Sequence, residues 1–215
     1  MTLWAATRRL VPTAVVSAVV VVLVVLLGEV SASIPALASA RGLALPLALI
    51  APLAVSSVLG YALTTGDPIL ESVSVRPIAV LDTALVIATS GALFVLLIMV
   101  DAAGYAAFGA EAARNTLGFV GLLLIGRRVI GRNAATALPI VLVVLLAFFG
   151  ADSAGEPRWW AWPLVDAGQR ASWAAMLILI STGSLLELTR PARQRLYGFM
   201  RRLRPSSGPP HGGSG

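Results

Sequence analysis

Apolar runs long enough to cross a bilayer recur along this chain, and no other sequence feature constrains its fold as strongly. A spanning helix needs about 20 mostly apolar residues, each adding about 1.5 Å. Six such runs can be read: Val11–Val30, Leu43–Leu63, Ile78–Val100, Asn115–Ile130, Ala134–Gly150 and Ala171–Leu188. The first contains the Val-rich stretch VVSAVVVVLVVLL. It has the flanks of a signal peptide, with Arg8 and Arg9 before it and small residues after. Its apolar core exceeds an h-region, so a retained span is expected.

Composition agrees with the runs. Of 215 residues, 58% are hydrophobic and 12% charged, against about 45–50% and about 25% in an ordinary soluble domain. A soluble fold is excluded, because so little polar surface cannot cover such a core. Cys is absent, which removes disulfides, thiolate nucleophiles and zinc ribbons. The 16 basic residues are all Arg, so the chain has neither a phosphate-loop lysine nor a Schiff-base lysine. The one His, His211, stands in a Gly/Pro/Ser tail, away from any partner for general-base or metal chemistry. The chain is expected not to be an enzyme, and to bind neither metal nor cofactor itself.

Arginine placement predicts orientation. Twelve arginines fall on the side that holds both termini and the loops after spans two and four. Four (Arg41, Arg114, Arg158 and Arg170) fall on the other. The expected fold class is an all-α polytopic membrane bundle of six transmembrane helices with both termini cytoplasmic. Residues 1–204 form it, with a short cytoplasmic helix at 67–76 and a basic juxtamembrane segment at 190–204. Residues 205–215 are a tail that composition predicts to be disordered. The basic segment, RPARQRLYGFMRRLR, interleaves aromatic and aliphatic residues with Arg, which suits anionic membrane lipids and not nucleic acid.

Several residues invite a functional reading. In GDPILESVSVRP, Asp67 can N-cap a helix that has Pro68 at its first position and ends before Pro77. Such a helix, with Leu70, Glu71 and Arg76 among its side chains, can dock on a soluble partner or rest on the headgroups. Arg114 and Asn115 open span four, either as the outer end of a polar path or as interface residues satisfying free helix N–H groups. Gly118, Gly121 and Gly126 give a smooth helix-packing face, for another subunit or for the same bundle. Trp159, Trp160 and Trp162 form either an interfacial belt or an outer gate. Asp82, Glu29 and Glu187 sit within a turn or two of span ends, with Arg76 and Arg190 as expected partners for Asp82 and Glu187. A proton relay needs acids near mid-membrane, and proton-driven transport is therefore disfavoured.

Three segments carry a family resemblance: LE…RP (Leu70, Glu71, Arg76, Pro77), ARNTLGFVGLLLIGRRVIG (Ala113–Gly131) and RWWAWPL (Arg158–Leu164). With the six-span layout, they resemble permease subunits of ABC-2-type ABC exporters and small actinobacterial membrane proteins similar to them. The first loop, residues 31–42, is short for that family. The resemblance implies that Asp67–Pro77 is the ATPase-coupling helix and that the Trp-rich loop is an outer gate. It also implies an ABC ATPase subunit as partner, carrying ATP and magnesium, and a second permease copy or homologous permease subunit. The expected function is the permease subunit of an exporter of a hydrophobic or amphipathic substrate in the bacterial cell membrane. Two alternatives stand beside it: a non-transporting scaffold or regulatory subunit, and the substrate-binding membrane module of a vitamin-type ABC importer.

Overall fold

The computed structural model describes residues 10–34, 43–64, 78–131 and 134–189. The expected coupling helix with Asp67, Pro68, Leu70, Glu71, Arg76 and Pro77, the basic segment 190–204 and the tail 205–215 lie outside the described residues.

The chain is mostly helical, at 76%. Helix α1 spans Leu10–Leu27, and a two-stranded antiparallel hairpin follows, β1 Ser31–Ile34 paired with β2 Leu43–Pro46. Helix α2 is Leu47–Ile50, α3 Pro52–Thr64, α4 Ile78–Ala102 and α5 Gly109–Val129. Helix α6 is Ala137–Phe149, a 3-10 turn covers Trp162–Leu164, and α7 runs Arg170–Leu188.

Two boundaries differ from the sequence reading. The second apolar run begins as strand β2, and its helix breaks at Ala51 because Pro52 has no N–H to continue the ladder. The fourth begins six residues earlier than Asn115, at Gly109, so Arg114 and Asn115 lie a full turn inside α5. The start of α5 is capped instead from the preceding helix. Asp101 Oδ1 accepts hydrogen bonds from the N–H of Gly109 at 3.1 Å and of Ala110 at 3.2 Å.

Among the described residues four helical stretches are long and apolar enough to cross a membrane: Leu10–Leu27, Leu47–Thr64, Val80–Ala102 and Arg170–Leu188. Helix α6 is apolar but only 13 residues long, about 20 Å. Helix α5 is long enough at 21 residues, yet it carries Glu111, Arg114, Arg127 and Arg128. This most polar helix is the central one, and it touches every other helix.

Charged and amide side chains are buried within an otherwise apolar core, while many aliphatic side chains face outward. Arg114, Asn115 and Glu187 are 0% exposed and Asp82 1%, while Val11 is 74%, Leu26 71% and Ile178 65% exposed. Exposing that much aliphatic surface to water is unfavourable by roughly 25 cal/mol per Å², and hydrocarbon around the bundle removes the cost. Apolar helices facing outward around a more polar one are compatible with a membrane protein.

Close helix approaches fix α5. A Cβ on Gly121 would lie 2.6 Å from the carbonyl carbon of Leu179, and one on Gly183 2.7 Å from the carbonyl oxygen of Gly121. Helices α5 and α7 thus meet backbone to backbone. Gly118 faces the indole edge of Trp162, and a Cβ on Gly126 would be 2.7 Å from Ala135 O. All three glycines that the sequence marks for packing are used within the one chain.

Candidate functional site

Two buried polar clusters sit near opposite ends of α5, thirteen residues apart, about 20 Å along the axis. The layer between them is apolar, with Phe119, Val120, Leu123 and Leu124 fully buried.

The first cluster is built on Arg114. A guanidinium has five N–H donors, and here each finds an acceptor. Nε donates to Asn115 Oδ1 at 3.3 Å. Nη1 donates to Ser172 Oγ at 2.7 Å and Asp166 O at 3.4 Å. Nη2 donates to Val165 O at 2.8 Å and Pro163 O at 3.3 Å. Three of the five acceptors are backbone carbonyls of the 3-10 turn (Pro163) and the two residues after it (Val165 and Asp166), in the long connection between α6 and α7. Ser172 in turn donates to Gln169 O at 2.7 Å, so its hydroxyl both accepts and donates.

Asn115 completes the clamp. Its Nδ2 donates to Pro163 O at 3.0 Å and to Leu49 O at 3.2 Å. Leu49 stands just before the Pro52 break, where a side-chain donor from a neighbouring helix can replace lost ladder bonds. Glu111, one turn ahead of Arg114, accepts from Ala167 N–H at 2.9 Å, and Trp173 Nε1 donates to Ala167 O at 2.7 Å. Residues 163–169 are thus pinned to α5 and to the start of α7 by buried polar groups.

Arg114 and Asn115 do not stand at the helix start, where they would satisfy free N–H groups, because α5 begins at Gly109. Both are completely buried and hold a loop. The Trp residues separate. Trp162 packs on Gly118, with its ring 6.0 Å from Phe119, whereas Trp159 is 93% exposed and Trp160 half-buried. The loop that carries Trp159 has its own fold. Asp152 Oδ1 accepts from Ala154 and Glu156 N–H, Arg158 N–H donates to Gly150 O, and Gly155 takes a φ of 91°.

The second cluster joins three helices. Arg127, near the end of α5, reaches Asp82 Oδ2 on α4 at 3.5 Å and Glu187 Oε2 on α7 at 3.7 Å. Both carboxylates are buried, as is Arg127 at 5% exposure. Arg76 and Arg190, the partners the sequence suggested, lie outside the described residues, and the shared guanidinium of Arg127 was not anticipated. Its signal was present: Arg127 opens the last turn of α5, where a cation also complements the helix dipole.

The two clusters differ in chemistry. In the first, one cation donates only to neutral oxygens, with Glu111 and Asp166 close by, an arrangement suited to fixing a loop. The second is one cation between two acids on different helices, an arrangement that comes apart when the helices move relative to each other. Neither presents a nucleophile with an adjacent base. Comparison with family models, characterised proteins and solved structures finds no match to this chain.

Proposed function

We propose that the chain is the membrane-spanning permease subunit of an ABC-type exporter, with six helical passes and both termini cytoplasmic in a bacterial cell membrane. In this reading α5 is the axis of the bundle, the Arg114 cluster closes the outer end and the Asp82–Arg127–Glu187 cluster the inner end. The observation that carries the reading is this pair of polar closures at opposite ends of one buried helix, separated by an apolar layer. A path that opens to alternate sides needs a closure at each end, and a subunit that only anchors a partner needs neither. ATP hydrolysis belongs to a separate chain docked at Asp67–Arg76, since this one has no phosphate-binding lysine. Asp82 lies one turn into α4, directly after that loop, so movement of the loop has a short route to the inner closure. A hydrophobic or amphipathic cargo suits the apolar layer.

Affinity purification from the native membrane with the full chain as bait should recover an ATPase subunit. Glu71→Ala combined with Arg76→Ala should abolish both that association and ATP-dependent efflux of an amphipathic dye from vesicles. An unchanged association and efflux would sink the docking assignment.

One observation favours a second reading, a non-transporting scaffold. The glycine face of α5 is filled on all sides, by Leu179–Ile180, Trp162 and Ala135, which gives a solid bundle. Recovery of the ATPase with no flux of any amphipathic probe across reconstituted vesicles would favour the scaffold.

A further inference from the structure

A cavity of about 380 Å³ opens between the end of α1 and the turn that follows α4. Its lining includes Glu29, Gly104, Tyr105 and Ala107, together with Val25 and Leu26 of the last turn of α1. We propose that this cavity binds an alkylammonium cation, either a free organic cation or the headgroup of a lipid. The proposal concerns binding only and stands whether or not the chain transports anything.

Three features converge on that chemistry. The first is charge: Glu29 is the one ionisable carboxyl among the lining residues, and no cationic side chain lines the cavity. The second is the direction of the helices. Helices α1 and α4 both end here, and a helix C-terminus carries roughly half a negative charge. Helix α4 ends in a Schellman turn, with Tyr105 N–H donating to Val100 O at 3.0 Å and Gly104 N–H to Asp101 O at 2.8 Å. Gly104 supplies the left-handed residue that this turn requires, with a φ of 76°. The turn holds the α4 terminus and the exposed phenol ring of Tyr105 at the cavity rim. Glu29 thus supplies a carboxylate at a rim where two helices end.

The third feature is shape and polarity. Val25, Leu26 and Ala107 give an apolar wall beside the charge, and an aromatic ring stands within the lining. A bare metal ion needs several oxygen ligands closely spaced, whereas an alkylammonium uses a carboxylate, an aromatic face and aliphatic walls together. At the end of an apolar helix the cavity sits at headgroup depth, so an acyl chain attached to the cation can follow the exposed Val22 and Leu26 into the hydrocarbon.

The test uses the full chain in dodecyl maltoside micelles, which contain no ammonium group. The two probes are benzyltrimethylammonium, as a soluble cation, and dihexanoyl phosphatidylethanolamine, as a headgroup. Calorimetric titration should give saturable binding of at least one probe. The soluble cation alone identifies a free ligand, the lipid alone a headgroup site, and both together the shared ammonium. Glu29→Gln should weaken binding at least tenfold, and Glu156→Gln, an exposed acid elsewhere, should not change it. Ala107→Trp should abolish binding by filling the cavity. Residues 29 and 107 are exposed, so near-ultraviolet circular dichroism should show both variants folded. Absence of saturable binding by both probes, binding that survives Glu29→Gln, or binding that survives Ala107→Trp overturns the proposal.

Discussion

Arg114 Nη2 lies 2.8 Å from the carbonyl oxygen of Val165, a bond that joins two points 51 residues apart in the sequence. It is the shorter of two hydrogen bonds from the same nitrogen, and the guanidinium as a whole spends every donor on neutral oxygens. A charge hydrogen-bonded only to neutral oxygens, with Glu111 and Asp166 near enough to act on it electrostatically, holds the loop between α6 and α7.

Lysine is therefore a poor substitute here. Arg114→Lys keeps the charge but offers three donors in place of five, and it cannot span Pro163, Val165 and Ser172 together. Each buried acceptor left without a donor costs about 1–3 kcal/mol. The variant should lose about 2–4 kcal/mol of stability by that principle. The check is a lowered thermal midpoint in micelles, with faster tryptic cleavage at Arg158. A midpoint within a degree of the parent would show that the clamp does not hold the loop.

Asn115→Ala removes the donors to Leu49 O and Pro163 O and the acceptor for Arg114 Nε. Because Ser172 and Asn115 bond the same guanidinium, Ser172→Ala and Asn115→Ala should not be additive. A coupling of about 0.5–3 kcal/mol in a double-mutant cycle is the expected size for residues in one network. Chemical unfolding of the four proteins measures it, and strict additivity would dissolve the network into independent bonds.

The glycines of α5 should not be equivalent. Gly121→Ala drives a methyl group into the backbone of Leu179 and Ile180, which cannot yield without separating α5 from α7. Gly118→Ala meets the indole edge of Trp162, a side chain that can turn. Gly121→Ala should therefore yield far less monodisperse protein by size-exclusion chromatography than Gly118→Ala. The reverse order would mean that the α5–α7 crossing is not the tight one.

At the other cluster, losing the cation should cost more than losing either acid. Arg127→Gln leaves the buried Asp82 and Glu187 without the guanidinium they share, and breaking a buried ion pair from one side costs about 3–5 kcal/mol. Asp82→Asn and Glu187→Gln each keep Arg127 facing one carboxylate and should cost less. Thermal midpoints of the three variants, measured side by side, give the ranking, and Arg127→Gln must fall lowest.

Much of the architecture is legible as length and polarity. Leu10–Leu27, Ile78–Ala102 and Arg170–Leu188 fall within one to three residues of the apolar runs that announce them, because helix length in hydrocarbon is set by thickness. What the runs hide is their ranking. Helix α5 has the weakest apolar signal and is the most buried, since its charged and amide side chains find partners on the elements packed around it. The hairpin at Ser31–Pro46 was also invisible: a Leu-Ala-Leu-Pro strand and the first turn of an apolar helix have the same composition. For the site, Arg114 and Asn115 stand out in the sequence as a polar pair, but their partners are backbone carbonyls that carry no side-chain signature. The Asp82–Arg127–Glu187 grouping depends on three helices meeting, a fact of tertiary packing that spacing along the chain does not encode.

The burial of α5 has a consequence for how the protein is made. A segment carrying Glu111, Arg114, Arg127 and Arg128 is a weak candidate for lateral release from a translocon, since each charge placed near the bilayer centre costs about 2.5–3.5 kcal/mol on insertion scales. The groups that compensate Arg114 are not yet synthesised when α5 emerges: Val165 and Ser172 follow it by about fifty residues and more. Helix α5 therefore gains the partners of Arg114 only once the segment leading into α7 and the start of α7 are in place. Truncation after α6 should therefore leave α5 without these partners and lower the amount of folded protein recovered.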